Sequence, residues 1–535
     1  MDNFDQVSVS RNFNFVMQIK QKQDTMVVGR CNADYQACSK KLREKLEEED
    51  TISELPDPLI CQILYHLPTK EAVKTSALST RWRNLWLCVH SLDLASRDFP
   101  NFNAFVSFSD SLFDYNRVSC IYRVKLSLEE HDDKHKIKHV QVASYLKSWI
   151  DSAVKHKIKH VHVRCPPEFY YEMPSSLYRC ETLVSLELYK MNMVNAEFVS
   201  LPRLETMALE DCWYPNESTF ERLVSCCPVL EELKIDIAWN DTKVFKVQSR
   251  SLKRLALVRL SPFKFGSVSG VVVDAPLLCS LSINDHVSES FRVNSLRSRA
   301  KLDVSLFFGL RGFDEESVSP RRNSIQSFLS GVSSVREMKI CPRTFKIIYE
   351  YSKLEPLPRF DCVSRVCVTL CVSNLEWLSS FLESCPNLKS LILVMNLCFN
   401  HISCLLFFSL CLFYFPQDWN GYSKKMRMDK MSEISFESVP RCLLSSLEFV
   451  DIKSTILGYA TELEVVRYLL ESSTILKKLT LRLHYHAIQD DFVKKLGQIQ
   501  RRSLACQVVF TGLENTVANM SSLSFTMKTR GKKEN

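Results

Sequence analysis

Apolar and polar positions along this chain follow two different periods, and the change falls near residue 118. Before it, residues 50–94 carry helical spacing. Asp57 and Pro58 suit an N-cap and a first helical position, where proline's missing N–H would go unpaired in any case. Ile60, Ile63, Leu64 and Leu67 then follow at i, i+3, i+4 and i+7, which makes one apolar helical face. Pro68 stops that helix, and Thr69 can cap a second one through 70–78. Ser79 restarts a third, in which Trp82 and Trp86 lie four apart on one face. Three helices this short cannot cover so many apolar side chains among themselves. Leu55, Pro56, Leu59 and part of the first face are therefore expected to need a partner.

From 118 onward the pattern changes. Val124, Leu126 and Leu128 alternate as in a half-buried strand, 141–154 has helical spacing, and Val161 and Val163 alternate again. A motif then recurs as Leu183-x-x-Leu186-x-Leu188, Leu204-x-x-Met207-x-Leu209, Leu230-x-x-Leu233-x-Ile235, Leu252-x-x-Leu255-x-Leu257 and Leu278-x-x-Leu281-x-Ile283. Its first positions stand 21, 26, 22 and 26 residues apart, the range in which each unit supplies one strand of a curved parallel sheet. One strand with one return segment cannot cover its own apolar face, so neighbouring units must stack. Pro202, Pro228 and Pro276 precede three of these strands and are expected to end a preceding helix and set an extended entry. The register weakens over 295–330, where 320–324 looks like an exposed loop. It returns at Val335-x-x-Met338-x-Ile340 and Leu388-x-x-Leu391-x-Leu393, the latter led by a helix within 373–388.

Residues 394–417 break the array. Within them, 402–415 is an almost unbroken apolar run of 14 residues, short of the roughly 20 that a membrane span needs. Its Phe, Leu, Ser, Tyr and Cys content, ending in Phe-Tyr-Phe-Pro-Gln, is what a pyrimidine-rich tract followed by CAG would encode in frame. We therefore read 394–417 as unspliced (retained intron) sequence or a gene-model error, and expect a spliced transcript lacking it to be the main product on sequencing. Beyond it, Leu447-x-x-Val450-x-Ile452, a helix over 462–472 and a strand within 474–483 make a strand–helix–strand set. Residues 1–49 read as a flexible extension in which Met26 could be a later start, and 511–535 as a basic tail.

Composition narrows the function classes. Among 535 residues, the +8 net charge is small, and no basic run is interleaved with regularly spaced aromatics, which weighs against nucleic acid. The 21 cysteines are odd in number, scattered and without CxxC pairs, as expected for free thiols in a reducing compartment, cytoplasm or nucleus, rather than disulfides or zinc ligands. Only 11 glycines are present, and GxGxxG, GxxxxGK[ST], GxSxG and HExxH are all absent, so the chain is expected to be no enzyme and to hold no cofactor. His135 and His139, like His156 and His160, lie four apart, but the lysines between them would repel a metal cation and the histidines read as exposed positions flanking a strand. Asn216-Glu217-Ser218 matches a glycosylation sequon that an intracellular protein would not use.

The motifs together also resemble a known family. LPDPLI at 55–60, ILYHLPTK at 63–70 and STRWRNLW at 79–86 look like the F-box of plant F-box proteins. The LxxLxL array is similar to their divergent leucine-rich repeats, and 433–510 resembles the FBD domain that follows them, on SVPRCLLSSLEFV and LKKLTL. The resemblance implies an α/β chain: a small all-α F-box at 50–94, a leucine-rich-repeat solenoid of parallel strands and helices at 118–393, and an α/β FBD region. It further implies docking on a Skp-family linker protein and through it a cullin, with the repeats holding a protein substrate for ubiquitination. The expected linker-docking residues are Leu55, Pro56, Leu59, Ile60, Ile63 and Leu67, with Val73, Trp82 and Trp86 supporting the helices. The competing readings are a repeat scaffold working outside any ligase, an enzyme with a site of its own, and an unexpressed or defective gene copy.

Overall fold

A computed structural model describes residues 52, 55–114, 121–129, 139–166, 170–237, 244–260, 270–294, 296, 297, 299–310, 314–371, 377–396, 436, 438–456, 459–483 and 492–511. The expected extension at 1–49 and the expected tail at 511–535 therefore lie outside it, save Thr511, which ends a strand, as do the apolar run at 402–415 and His135. The chain divides into two compact units, Met1–Pro166 and Pro167–Asn535.

In the first unit, α1 (Asp57–Tyr65) and α2 (Thr69–Lys74) are followed by 3₁₀ turns at Thr75–Ala77 and Trp82–Cys88. Three expectations are corrected here. Asp57 is the first helical residue and Pro56 holds the N-cap position, so the cap makes no side-chain hydrogen bond. Pro68, not Thr69, occupies the N-cap of α2. Thr69 instead points inward, where its hydroxyl accepts the Asp93 backbone N–H at 2.8 Å. The third helix is 3₁₀, which explains why Trp82 and Leu85 are its buried pair: three residues apart, they eclipse along a 3₁₀ axis. Trp86 is only half-buried.

β1 (Ser91–Ala95), β2 (Arg123–Ser127) and β3 (His160–Arg164) then pair in parallel, with α3 (Phe102–Asp114) and α4 (His139–Lys155) as the crossovers. Leu92, Val124 and Val161 share one register position and Leu94, Leu126 and Val163 another, all at most 2% exposed. Strand alternation thus begins within the segment read as purely helical, and the helix over 102–114 carried no sequence reading.

The second unit repeats that scheme in strict order. The five motif units fold as β5 (Ser185–Tyr189), β7 (Thr206–Cys212), β8 (Glu232–Ile237), β10 (Arg254–Arg259) and β12 (Ser280–Asp285), after the short β4 (Tyr171–Glu172) and around β6 (Met191–Asn192). β14 (Lys301–Leu306), β15 (Glu337–Ile340), β16 (Arg365–Cys371) and β17 (Ser390–Asn396) continue the sheet, and β18 (Phe449–Ile456), β19 (Lys478–Leu483) and β20 (Gln507–Thr511) extend it. β4 and β6 pair with each other, and each of the other strands named pairs in parallel with the next of them along the chain. In-register Leu186, Met207, Leu233, Leu255 and Leu281 are all at most 2% exposed, so the recurrent leucines form one continuous apolar row.

The return segments depart from expectation in two ways. β9 (Val244–Gln248), β11 (Gly270–Asp274) and β13 (Ser290–Asn294) form a second parallel sheet where helices were expected, so Pro276 follows a strand rather than a helix. Pro228 does follow one, α5 (Glu217–Ser225), whose N-cap Asn216 accepts the Thr219 N–H at 2.9 Å. Asn216 of the sequon is thereby committed to a structural role. Residues 320–324 are helical rather than a loop, spanning the end of a 3₁₀ turn (Ser319–Arg321) and the start of α7 (Arg322–Gly331), with α6 at Glu315–Val318. Gly331 is required at the close of α7, since a Cβ there would fall on the Val293 carbonyl oxygen of β13. Other returns are helical: α8 (Pro342–Leu354), α9 (Trp377–Glu383), α10 (Arg441–Ser445), α11 (Ala460–Ser472) and α12 (Phe492–Gln498).

Candidate partner-docking surfaces

One side chain ties the motif at 79–86 to the motif at 55–60. Arg81 donates to the Asp57 carboxylate from Nε at 2.9 Å and from Nη2 at 2.7 Å, and Nη2 also reaches the Leu55 carbonyl. Both charges are substantially exposed, so the pair adds little stability, but it fixes where the Leu55–Asp57 entry lies against the 3₁₀ turn. Beneath it, Ile60, Leu64, Ala72, Trp82, Leu85 and Val89 form a closed cluster, with Leu55, Leu67 and Trp86 packed at its margin.

This packing sorts the expected docking residues into two groups. Ile60 is 0% exposed and belongs to the core, so its expected contact with a partner is corrected. A nine-residue helix has room for one inward stripe, and Ile60 with Leu64 is that stripe. Leu55, Ile63 and Leu67 are half-buried, as is the supporting Val73. Pro56 and Leu59 are open, Leu59 at 46%. Two residues outside the expected set are also open, Tyr65 at 39% and Leu78 at 56%. Their signal was available: both are large apolar residues out of phase with the buried stripe.

The solvent side of the second unit's sheet is polar and ordered by charge. Lys234 pairs with Glu210 at 2.5 Å, Arg254 with Glu232 at 2.7 Å and Lys339 with Asp303 at 2.8 Å, each across strands. At the carboxy ends of β5 and β7 the backbone is strained: Lys190 and Asp211 take φ of 62° and 52°, rare for residues with a Cβ. Their side chains pair at 2.6 Å, and the Tyr170 hydroxyl donates to Asp211 at 3.2 Å. A bulge between Glu210 and Cys212 turns Asp211 out of the ladder. Trp213 stands 37% exposed beside it.

Asp236, on the adjacent strand β8, is pushed up to about 6 from 3.8, by burial first and then by Asp211 and Glu210. The folded state therefore holds this proton more tightly than the unfolded chain, and the stability it contributes below pH 3.8 is lost as pH rises through about 6. Asp236→Asn is expected to stabilise the unit at pH 7 by about 1 kcal/mol, discounted for partial exposure, and to flatten the pH dependence between 4 and 6. Thermal unfolding of both proteins at pH 4 and 7 measures it; an unchanged pH slope would refute the assignment.

Among the described residues, no group of three histidine, cysteine or acidic side chains could hold a metal ion, and no helix is long and apolar enough to cross a membrane. Described cysteines are free thiols, and burial pushes those of Cys212 and Cys227 up to about 12.

Comparison with known proteins places names beside this geometry. Family profiles described as F-box domain, as FBD-associated F-box protein At5g56370, LRR repeats, and as FBD match residues 52–92, 146–304 and 435–481. The chain is 50% identical over 479 residues to the putative F-box/FBD/LRR-repeat protein At5g25850 of Arabidopsis thaliana, covering 86% of this chain and 96% of that protein. It is 51% identical over 475 residues to the putative F-box/FBD/LRR-repeat protein At2g05300 of the same plant, covering 88% and 99%. With F-box/LRR-repeat protein 13, again from Arabidopsis thaliana, identity is 37% over 472 residues, covering 86% and 96%.

Proposed function

The chain belongs to the plant F-box/FBD/LRR-repeat family, and from that membership we propose that it is a non-catalytic substrate-recognition adaptor of an SCF-type cullin ubiquitin ligase. The F-box docks on a Skp-family linker and through it on a cullin, in the cytoplasm or nucleus. The repeat sheet holds a protein target. Tethering target and ubiquitin donor in one assembly makes the transfer effectively intramolecular, with no active site required of this chain. We assign the linker contact to Pro56 and Leu59, flanked by half-buried Leu55, Ile63 and Leu67.

The observation that carries this reading is the division of labour on α1. A helix whose inward stripe already closes a core, yet which keeps a leucine 46% exposed beside it, is built to be covered by something else. Co-purification of the full chain with a Skp-family linker is the test. A chain that keeps its F-box fold but captures no linker would instead fit a scaffold working outside any ligase.

A further inference from the structure

We propose that a basic groove on the edge of the second unit's sheet, where β15, β16 and β17 begin, takes an extended peptide bearing phosphate or carboxylate groups on alternate residues. The inference rests on the adaptor reading for its biological meaning, since it names the chemistry of the target segment. The groove is shallow, about 620 Å³, and is lined by Arg299, Arg336, Arg365 and Lys389 with Ser364 and Ser390. Glu337 lines it too, but Lys301 holds that carboxylate at 3.4 Å.

Three observations point to an anionic occupant. First, neighbouring cations on the same sheet are neutralised across strands, as Lys253 is by Glu231 at 2.6 Å and Lys339 by Asp303 at 2.8 Å. Among the described residues Arg299, Arg336 and Arg365 form no such pair, and Lys389 has only a share in Glu448, which Lys477 holds at 2.7 Å. Second, the cations come from consecutive units. Arg336 precedes β15 and Lys389 precedes β17 at one register position, two strand spacings or roughly 9.6 Å apart, and Arg365 opens β16 between them one residue further on. A peptide crossing the strand ends presents alternate side chains roughly 7 Å apart, and each anion then lies between two cations. Third, three of the four are arginines, whose planar fork meets phosphate or carboxylate oxygens two at a time. The backbone N–H groups here are already used, Arg365 and Ser390 donating to the carbonyls of Arg336 and Ser364, so side chains alone supply the recognition.

The test is fluorescence anisotropy of the full chain with three labelled peptides alternating glycine with phosphoserine, glutamate or serine. The phosphoserine or the glutamate peptide, or both, should bind with an affinity that falls as salt rises, at least about tenfold tighter than the serine peptide. Whichever binds more tightly identifies the source of the anion. Arg336→Glu with Arg365→Glu should weaken binding about tenfold or more through like-charge repulsion, without shifting the thermal midpoint. Arg203→Glu with Arg250→Glu, an equal charge change on exposed residues outside the groove, should leave it unchanged. Equal binding of the serine peptide, no binding of either anionic peptide, or indifference to the groove variant would overturn the proposal. Tighter binding of a single-stranded RNA of equal charge would also overturn it, by assigning the groove to nucleic acid. Linker capture by the groove variant is scored separately. Loss of peptide with linker retained concerns the groove alone, and loss of linker by the native chain concerns the adaptor reading alone.

Discussion

Leu59→Asp should abolish co-purification with a Skp-family linker while leaving the first unit folded. The side chain is 46% exposed and lies outside the cluster of Ile60, Leu64, Ala72, Trp82, Leu85 and Val89, so a carboxylate there keeps its water in the free protein. In a complex the same carboxylate would be buried against an apolar partner without a counter-charge, a cost of several kcal/mol and so at least about a hundredfold in affinity. Leu55→Ala with Pro56→Ala tests the same face but also disturbs the Leu55 carbonyl that Arg81 holds. Ile60→Ala is the contrasting variant. It removes a 0%-exposed side chain and should cost roughly 2–5 kcal/mol, so any loss of linker would come through unfolding. Native-like circular dichroism with linker binding intact in Leu59→Asp would sink the docking assignment.

The second large effect is expected at Trp149 of α4. Its ring is 1% exposed, meets Phe105 edge-on at 5.5 Å, and stacks with Phe113 at 6.2 Å and Tyr145 at 5.9 Å. Its Nε1–H donates to Asp110 Oδ1 at 2.6 Å, tying α4 to α3. Trp149→Ala should destabilise the first unit by about 3–5 kcal/mol, a large share of the stability of an ordinary domain. Trp149→Phe keeps an aromatic ring but strands the carboxylate, and should cost about 1–3 kcal/mol. Because the chain has two units, a single melting temperature would blur the result, and amide hydrogen exchange across 139–155 is the sharper readout. Unchanged protection there in Trp149→Ala would show that α4 does not depend on this contact.

The repeat was readable wherever both its register and its residue types repeated. Leu183, Leu186 and Leu188 announce a strand because one buried row needs the same residue type at the same phase in every unit. The units at Val363, Val366 and Val368 and at Leu302 and Val304 are built to the same plan, all at most 3% exposed. They escaped because valine replaced leucine in one, and Arg299 stood at the first position of the other. The return strands escaped for a different reason. Phe245 and Val247, Val271 and Val273, and Phe291 and Val293 do alternate, but each run is too short to be told from the flank of a helix. In the F-box, spacing identified an apolar helix without saying which edge faced inward. That choice between Leu59 and Ile60 depends on where Trp82 lies, and a 3₁₀ turn, rather than an α-helix, puts it there.

In the second unit, from β14 to β20, each strand of the long sheet pairs with its immediate neighbour along the chain, always in parallel. Under mechanical load such an array has no single clasp to break. Pulled from its carboxy-terminal end, it would surrender β20, then β19, then β18, each step exposing a new sticky edge and shortening the lever for the next. Extraction by an unfolding motor would thus proceed as a ratchet of small yields rather than one rupture, and a target seated across several strands would be released only when the strands beneath it had been drawn away.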